Sequence, residues 1–135
     1  MSELKQKILK NQPTETFFEE KFHSLGFEQL TDIQKRALPT IYRKIDSLVI
    51  APTGSGKTEC SVIPIFSHLK ETKKIGKIKA LYITPLRSLN RDVLRRITKY
   101  AEHEDLTIQI RHGDTPQSQR KKISDSPPDV LITTP

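Results

Sequence analysis

The sequence predicts an α/β protein built on a parallel sheet, and two observations predict it. From residue 47 onward, short apolar runs alternate with longer stretches of helical periodicity, as in strands joined by crossover helices. Between the first run and the first of those helices stands a glycine-rich loop, "APTGSGKTE" from Ala51 to Glu59, in the strand, loop, helix setting that makes a phosphate-binding motif specific. The expected architecture is a three-layer parallel sheet with flanking helices.

Two helices are expected before that pattern begins. Phe17, Phe18, Phe22 and Leu25 repeat at helical spacing between "NQPTE" and Gly26, a start and a stop. In "TDIQKRALPTIYRKI", Thr31 can cap a second helix whose Ile33, Ala37, Leu38 and Ile41 share a face, with Pro39 expected to bend it. "SLVIA" (47–51) reads as a buried strand and "KTECSVIPIFSHLK" as the helix after it. "KALYITP" (79–85) is a second strand, followed by a helix whose Leu89, Val93, Ile97 and Tyr100 form an apolar stripe. "LTIQIRH" (106–112) and "DVLIT" (129–133) are the third and fourth strands, with a short helix from about Pro116 between them. "KETKKIGKIK" (70–79) reads as an exposed basic loop.

Composition narrows the function. A chain of 135 residues with 34% hydrophobic and 29% charged residues suits one soluble domain, and no apolar run approaches the roughly 20 residues that span a bilayer. The charged start "MSELKQKILKNQ" lacks the apolar segment of a secretory signal, so a cytoplasmic location is expected. Cys60 is the sole cysteine and is expected to be a buried small hydrophobe. The four histidines show no metal-ligand spacing. With 23 Lys and Arg against 16 Asp and Glu, the net charge of +7 favours polyanionic partners, nucleic acid first.

The loop carries the chemistry. Gly54 and Gly56 let the backbone turn around an anion, so that Thr53, Gly54, Ser55 and Gly56 aim amide hydrogens at phosphate oxygens beside a helix N-terminus. Lys57 is placed to reach the β- and γ-phosphates of a nucleotide, and the Thr58 hydroxyl to ligate Mg²⁺. The general G-x-x-x-x-G-K-[ST] pattern has glycine where this chain has Ala51; the alternative is a glycine-rich turn with a surface lysine.

"APTGSGKTE" resembles motif I of superfamily 2 helicases of the DEAD/DEAH type, in which alanine is common at that first position. "GFEQLTDIQKRALPTI" is similar to their Q motif, although Leu30 stands where many members have proline; "YITPLRSLNRDV" resembles motif Ia, and "HGDTPQSQRKK" with "PPDVLITTP" the region leading into motif Ib. The combination is most similar to the large helicase-related, Lhr-type branch. Residues 1–135 are then expected to form the N-terminal part of one RecA-like P-loop NTPase domain: a leading helical segment over 1–30, and the Q motif, P-loop and motifs Ia and Ib over 31–135.

The resemblance implies roles residue by residue. Gln34 is expected to read adenine with its amide; the competing reading makes Thr31 to Gln34 a capping box that binds nothing. Phe27 either flanks the base or packs in the core. Pro85, Arg87, Gly113, Thr133 and Thr134 match positions that touch the sugar-phosphate backbone of one DNA or RNA strand, with turn chemistry before Pro135 as the alternative for the threonines. Asp114 is expected to cap the following helix. Arg91, Arg95, Arg96 and Lys99, and the cluster Arg120, Lys121, Lys122, read as solvated helix faces.

These residues contain no Asp-Glu pair of the kind that orients Mg²⁺ and activates water in the family, and no second motor domain. The chain is expected to bind but not hydrolyse ATP by itself, to be marginally stable because sheet edges stay open, and to be continued by the rest of a helicase after Pro135. A noncatalytic nucleotide- or nucleic-acid-binding module is the alternative; a P-loop kinase would need a phosphate-acceptor site and a lid in place of "TPLRSL" and "ITTP".

Overall fold

A computed structural model describes residues 13–72, 76–85 and 91–135. The chain divides into two compact units, Met1–Ile65 and Phe66–Pro135, and the boundary falls inside a helix.

In the first unit, α1 (Glu15–Ser24) starts where the Thr14 side chain accepts from the Phe17 N–H, and Gly26 follows it at φ +94°. Helix α2 (Asp32–Tyr42) runs through Pro39 to its end. Of the two expected stripes, Phe18, Phe22, Leu25 and Leu38 are buried, Ile33, Ala37 and Ile41 half-buried and Phe17 exposed, and Leu30 joins the core from the loop between the helices. Tyr42 meets both Phe17 and Phe18 edge-on at 5.6 Å, and the half-buried Phe27 packs 5.4 Å from Phe22. Helix α3 (Lys57–Lys70) begins directly after the glycine-rich loop and crosses the unit boundary.

The expected strand at 47–51 is not formed. Leu48 is 86% exposed and Ile50 81%, and the segment takes no strand conformation. An apolar run becomes a strand when neighbouring strands satisfy its N–H and C=O groups; no described strand pairs with this one.

The second unit holds the sheet. Strands β1 (Ala80–Ile83), β2 (Ile108–Arg111) and β3 (Val130–Thr133) pair in the order β1-β3-β2, all parallel. Helices α4 (Arg91–His103) and α5 (Gln117–Asp125) supply the crossovers. Central β3 buries Val130, Leu131 and Ile132, and Ile97, Tyr100, Ala101, Leu106 and Ile123 complete the core. Of the expected α4 stripe, Ile97 and Tyr100 are buried and Val93 half-buried; Leu89 lies outside the described residues. Arg91, Arg95, Arg96 and Lys99 are exposed, as a solvated face requires.

The two edges of this sheet differ in chemistry. At the amino edge, Lys79, Thr107 and Asp129 each precede one strand and form a clip. The Lys79 ammonium stands 2.8 Å from the Asp129 carboxylate, whose other oxygen accepts from the Thr107 N–H and hydroxyl at 2.9 Å each. Burial pushes the Asp129 carboxyl up, but the bonds from Lys79 and Thr107 and the lysine charge outweigh it and hold the group below its ordinary 3.8. At the carboxyl edge, the register aligns Ile83, Thr133 and Arg111.

Candidate functional site

The glycine-rich loop is a tight turn. The Ser55 N–H donates to the Pro52 carbonyl at 3.3 Å, and Gly54 and Gly56 take φ of +82° and +87°, a region that glycine occupies without Cβ strain. Helix α3 starts at Lys57, so first-turn amides lacking intrahelical acceptors adjoin the loop. The Lys57 ammonium lies on the loop's own carbonyls, 2.5 Å from that of Ala51 and 2.6 Å from that of Pro52. Thr58 is half-buried in the first turn of α3. The Ser55 hydroxyl oxygen is buried with no hydrogen-bond partner.

Helix α2 clasps this loop. Thr31 and Gln34 form the capping box: the Thr31 N–H donates to the Gln34 side-chain oxygen at 2.9 Å, and the Gln34 N–H to the Thr31 hydroxyl at 3.4 Å. Both side chains then reach across. The Thr31 hydroxyl donates to the Ser55 carbonyl at 2.9 Å, and the Gln34 side-chain N–H to the Gly56 carbonyl at 3.2 Å. The approach is close enough that a Cβ on Gly56 would stand 2.3 Å from the Gln34 amide nitrogen. A side chain there would have to displace that amide, so glycine suits the position for room as well as for φ.

The residues present fit a phosphate group. Positive-φ glycines, the start of a 14-residue helix, a lysine held on the loop's carbonyls and an orphaned buried hydroxyl converge on one loop, a donor set suited to an anion. No group of three or more His, Cys, Asp or Glu side chains that could hold a metal ion occurs among the described residues. Cys60, four residues after Gly56, is fully buried and its thiol is pushed up to about 11 by burial and the neighbouring Glu59 charge. It is a core residue, as expected.

The second unit carries the other expected residues. Pro85 is exposed two residues after β1, and Arg87 lies outside the described residues. Thr133 ends β3, and its hydroxyl donates to the Thr134 carbonyl at 3.3 Å. Gly113 sits in a turn after β2 in which the His112 N–H donates to the Thr115 hydroxyl at 2.8 Å and the Thr115 N–H to the His112 carbonyl at 3.1 Å. Asp114 does not cap α5. The helix starts at Gln117, so the N-cap falls on Pro116, whose ring has no acceptor to offer, while the Thr115 hydroxyl closes the preceding turn.

Sequence reasoning missed two residues of this framework. Arg120, grouped by charge with Lys121 and Lys122, turns back to donate to the carbonyls of Thr115 at 2.8 Å and His112 at 3.4 Å and also to that of Gly113. No local pattern marks an arginine that folds onto a preceding turn. Thr31 does more than cap; T-x-x-Q revealed the box but not the bond to Ser55, which spans 24 positions.

The DEAD/DEAH box helicase model matches residues 31–135. The Lhr helicase/uracil glycosylase of Escherichia coli K12 is 36% identical over 130 residues, covering 82% of this chain and 8% of that protein. The ATP-dependent helicase Lhr-Core of Methanothermobacter thermautotrophicus is 34% identical over 124 residues, covering 81% and 14%. This chain therefore spans a small part of the curated relatives it matches. Among solved structures, Mycobacterium smegmatis helicase Lhr bound to ssDNA and AMP-PNP superposes with a TM-score of 0.67 at 38% identity, over 85% of this chain and 16% of that one. A hypothetical ATP-dependent RNA helicase from Sulfolobus tokodaii gives 0.66 at 27% identity, over 86% and 32%.

Proposed function

We propose, from the premise that this chain belongs to the DEAD/DEAH box helicase family, that it is the ATP-binding part of the first motor domain of an Lhr-like, ATP-dependent helicase or translocase. The observation that carries this reading is the loop: two positive-φ glycines followed by a helix whose first residue is Lys57, inside the stretch that matches the family. Residues 1–135 belong to one RecA-like domain, with 1–30 as its leading helical segment. A cytoplasmic location is proposed with it.

Thr53, Gly54, Ser55 and Gly56 hold the phosphates through backbone amides. Lys57 exchanges the carbonyls of Ala51 and Pro52 for phosphate oxygens, and Thr58 ligates Mg²⁺. Held there by Thr58, Mg²⁺ would supply positive charge to offset that of the phosphates. Gln34 serves both of its possible roles. A side-chain amide has two N–H donors and two acceptor lone pairs, and the capping box and loop clasp use one of each. One donor and one acceptor remain to match the edge of adenine. A single nucleic acid strand, DNA or RNA, lies along Pro85, Arg87, Gly113, Thr133 and Thr134, its phosphates positioned without sequence readout. Having no Asp-Glu pair, these 135 residues bind ATP without hydrolysing it by themselves.

Titration with a fluorescent ATP analogue and Mg²⁺ tests this. Saturable binding is expected, with Lys57→Ala weakening it at least tenfold while circular dichroism stays unchanged. Equal binding by wild type and Lys57→Ala would refute the phosphate-loop reading.

A further inference from the structure

The Arg120, Lys121, Lys122 cluster is one charge run in the sequence and three different things in the structure. Arg120 is committed to the carbonyls of the 112–115 turn. Lys122 lines a cleft with Thr98, Ile108 and Ile123. Lys121 lines another, of about 510 Å³, with Arg111, Ser118 and Ser124. Gln117, Arg120 and the carboxylate of Asp125 complete its wall.

This cleft starts at the carboxyl edge of the sheet. Arg111 ends β2 in register with Thr133, so the two lie on adjacent strands about 5 Å apart. Ser118, Lys121 and Ser124 recur at three-residue intervals on α5, lining roughly two turns, about 10 Å, of its surface. Arg111 and Lys121 are exposed and form no ion pair with a described residue. Two uncommitted cations and two hydroxyls against one carboxylate suit an anionic chain that passes the edge and continues along the helix.

We propose that the nucleic acid strand bound at Gly113, Thr133 and Thr134 continues into this cleft, where Arg111 and Lys121 hold two further backbone phosphates and Ser118 and Ser124 donate to them. The inference rests on the proposed nucleic acid site and extends it beyond the residues matched to helicase motifs. Asp125 opposes the strand and limits its affinity.

The test is binding of the full-length protein to fluorescent oligothymidylate across a salt series. Each phosphate neutralised on a single strand contributes about 0.7 to the slope of log affinity against log salt. Arg111→Gln with Lys121→Gln is expected to flatten the slope by about 1.4, so that the fall in affinity between roughly 50 and 200 mM salt becomes about sevenfold smaller. Lys121→Arg keeps the slope, and Asp125→Asn tightens binding. Lys121→Gln alone, on an exposed helix face, flattens it by about 0.7 and keeps the test readable if the strand-end change disturbs folding. A double variant with wild-type slope and affinity, beside a weakened Thr134→Ala, overturns the cleft while leaving the nucleic acid site standing. Absence of any oligonucleotide binding by the wild-type protein overturns the site and the cleft together.

Discussion

Two apolar runs of similar composition meet opposite fates in this chain. "DVLIT" (129–133) supplies the central strand, where Val130, Leu131 and Ile132 are 1%, 6% and 0% exposed. "SLVIA" (47–51) leads into the phosphate loop with Leu48 and Ile50 more than 80% exposed. The difference lies outside both runs. The first has a parallel neighbour on each side to take its N–H and C=O groups; the second has no described strand beside it. Apolar character makes a segment able to be a strand, and partners decide whether it is one. Order in the loop that follows the unpaired run comes from another source, the clasp of Thr31 and Gln34 on the Ser55 and Gly56 carbonyls.

The largest effect follows from that contrast. Ile132→Ala, in the buried centre of the ladder, is expected to cost about 3 kcal/mol of stability, and Leu48→Ala no more than about 0.5 kcal/mol. Urea unfolding of these 135 residues, followed by circular dichroism, measures both. Equal costs would mean that the run at 47–51 is buried in solution and would end the contrast.

A smaller effect tests how the ladder is held at its start. Asp129→Asn breaks the clip to Lys79 and Thr107, both part of one partly buried cluster, and is expected to cost about 2 kcal/mol near neutral pH. The folded carboxyl titrates below its ordinary 3.8. Its contribution is therefore complete above the unfolded value of about 3.9 and is lost as pH falls through the lower folded value. The gap between wild type and Asp129→Asn should hold from about pH 7 to 5 and narrow below that. A gap that is constant down to pH 2 or so would mean that the charge of Asp129 does not stabilise the sheet.

Much of this framework was legible in the sequence because it rests on local signals. "NQPTE" marks the start of α1, Thr31 caps α2, Gly26 turns the chain after α1, and helical spacing locates Phe18, Phe22, Ile97 and Tyr100 in the core. Alternating runs also gave the parallel pairing of β1, β2 and β3. What escaped depends on contacts distant in sequence or on the residue at which a helix starts. The 47–51 run lacks partners that its own residues cannot reveal. Asp114 is not the cap because the helix begins at Gln117, with Pro116 at the N-cap, and Arg120 left its charge cluster for three carbonyls. At the candidate site, the motif identified Lys57 and both glycines, but not the lysine's grip on Ala51 and Pro52 or the way a side chain at Gly56 would displace the Gln34 amide.

That last point yields the finest test of how the loop is ordered. Gly54 and Gly56 have nearly equal φ, so alanine at either carries the same backbone strain, about 1 kcal/mol. Their surroundings differ: a Cβ at Gly54 meets nothing within 4 Å, whereas one at Gly56 runs into the Gln34 amide. The obstructing atom ends a flexible side chain, so Gln34 would swing away and forfeit its bonds to Thr31 and Gly56. Gly56→Ala should therefore cost about 1 kcal/mol more than Gly54→Ala. In a Gln34→Ala background the obstruction and the Gln34 half of the clasp are both gone, and the two glycine substitutions should become equivalent. A difference that survives removal of Gln34 would locate the requirement for Gly56 in the backbone alone, and the clasp from α2 would no longer explain how an unpaired run can end in an ordered loop.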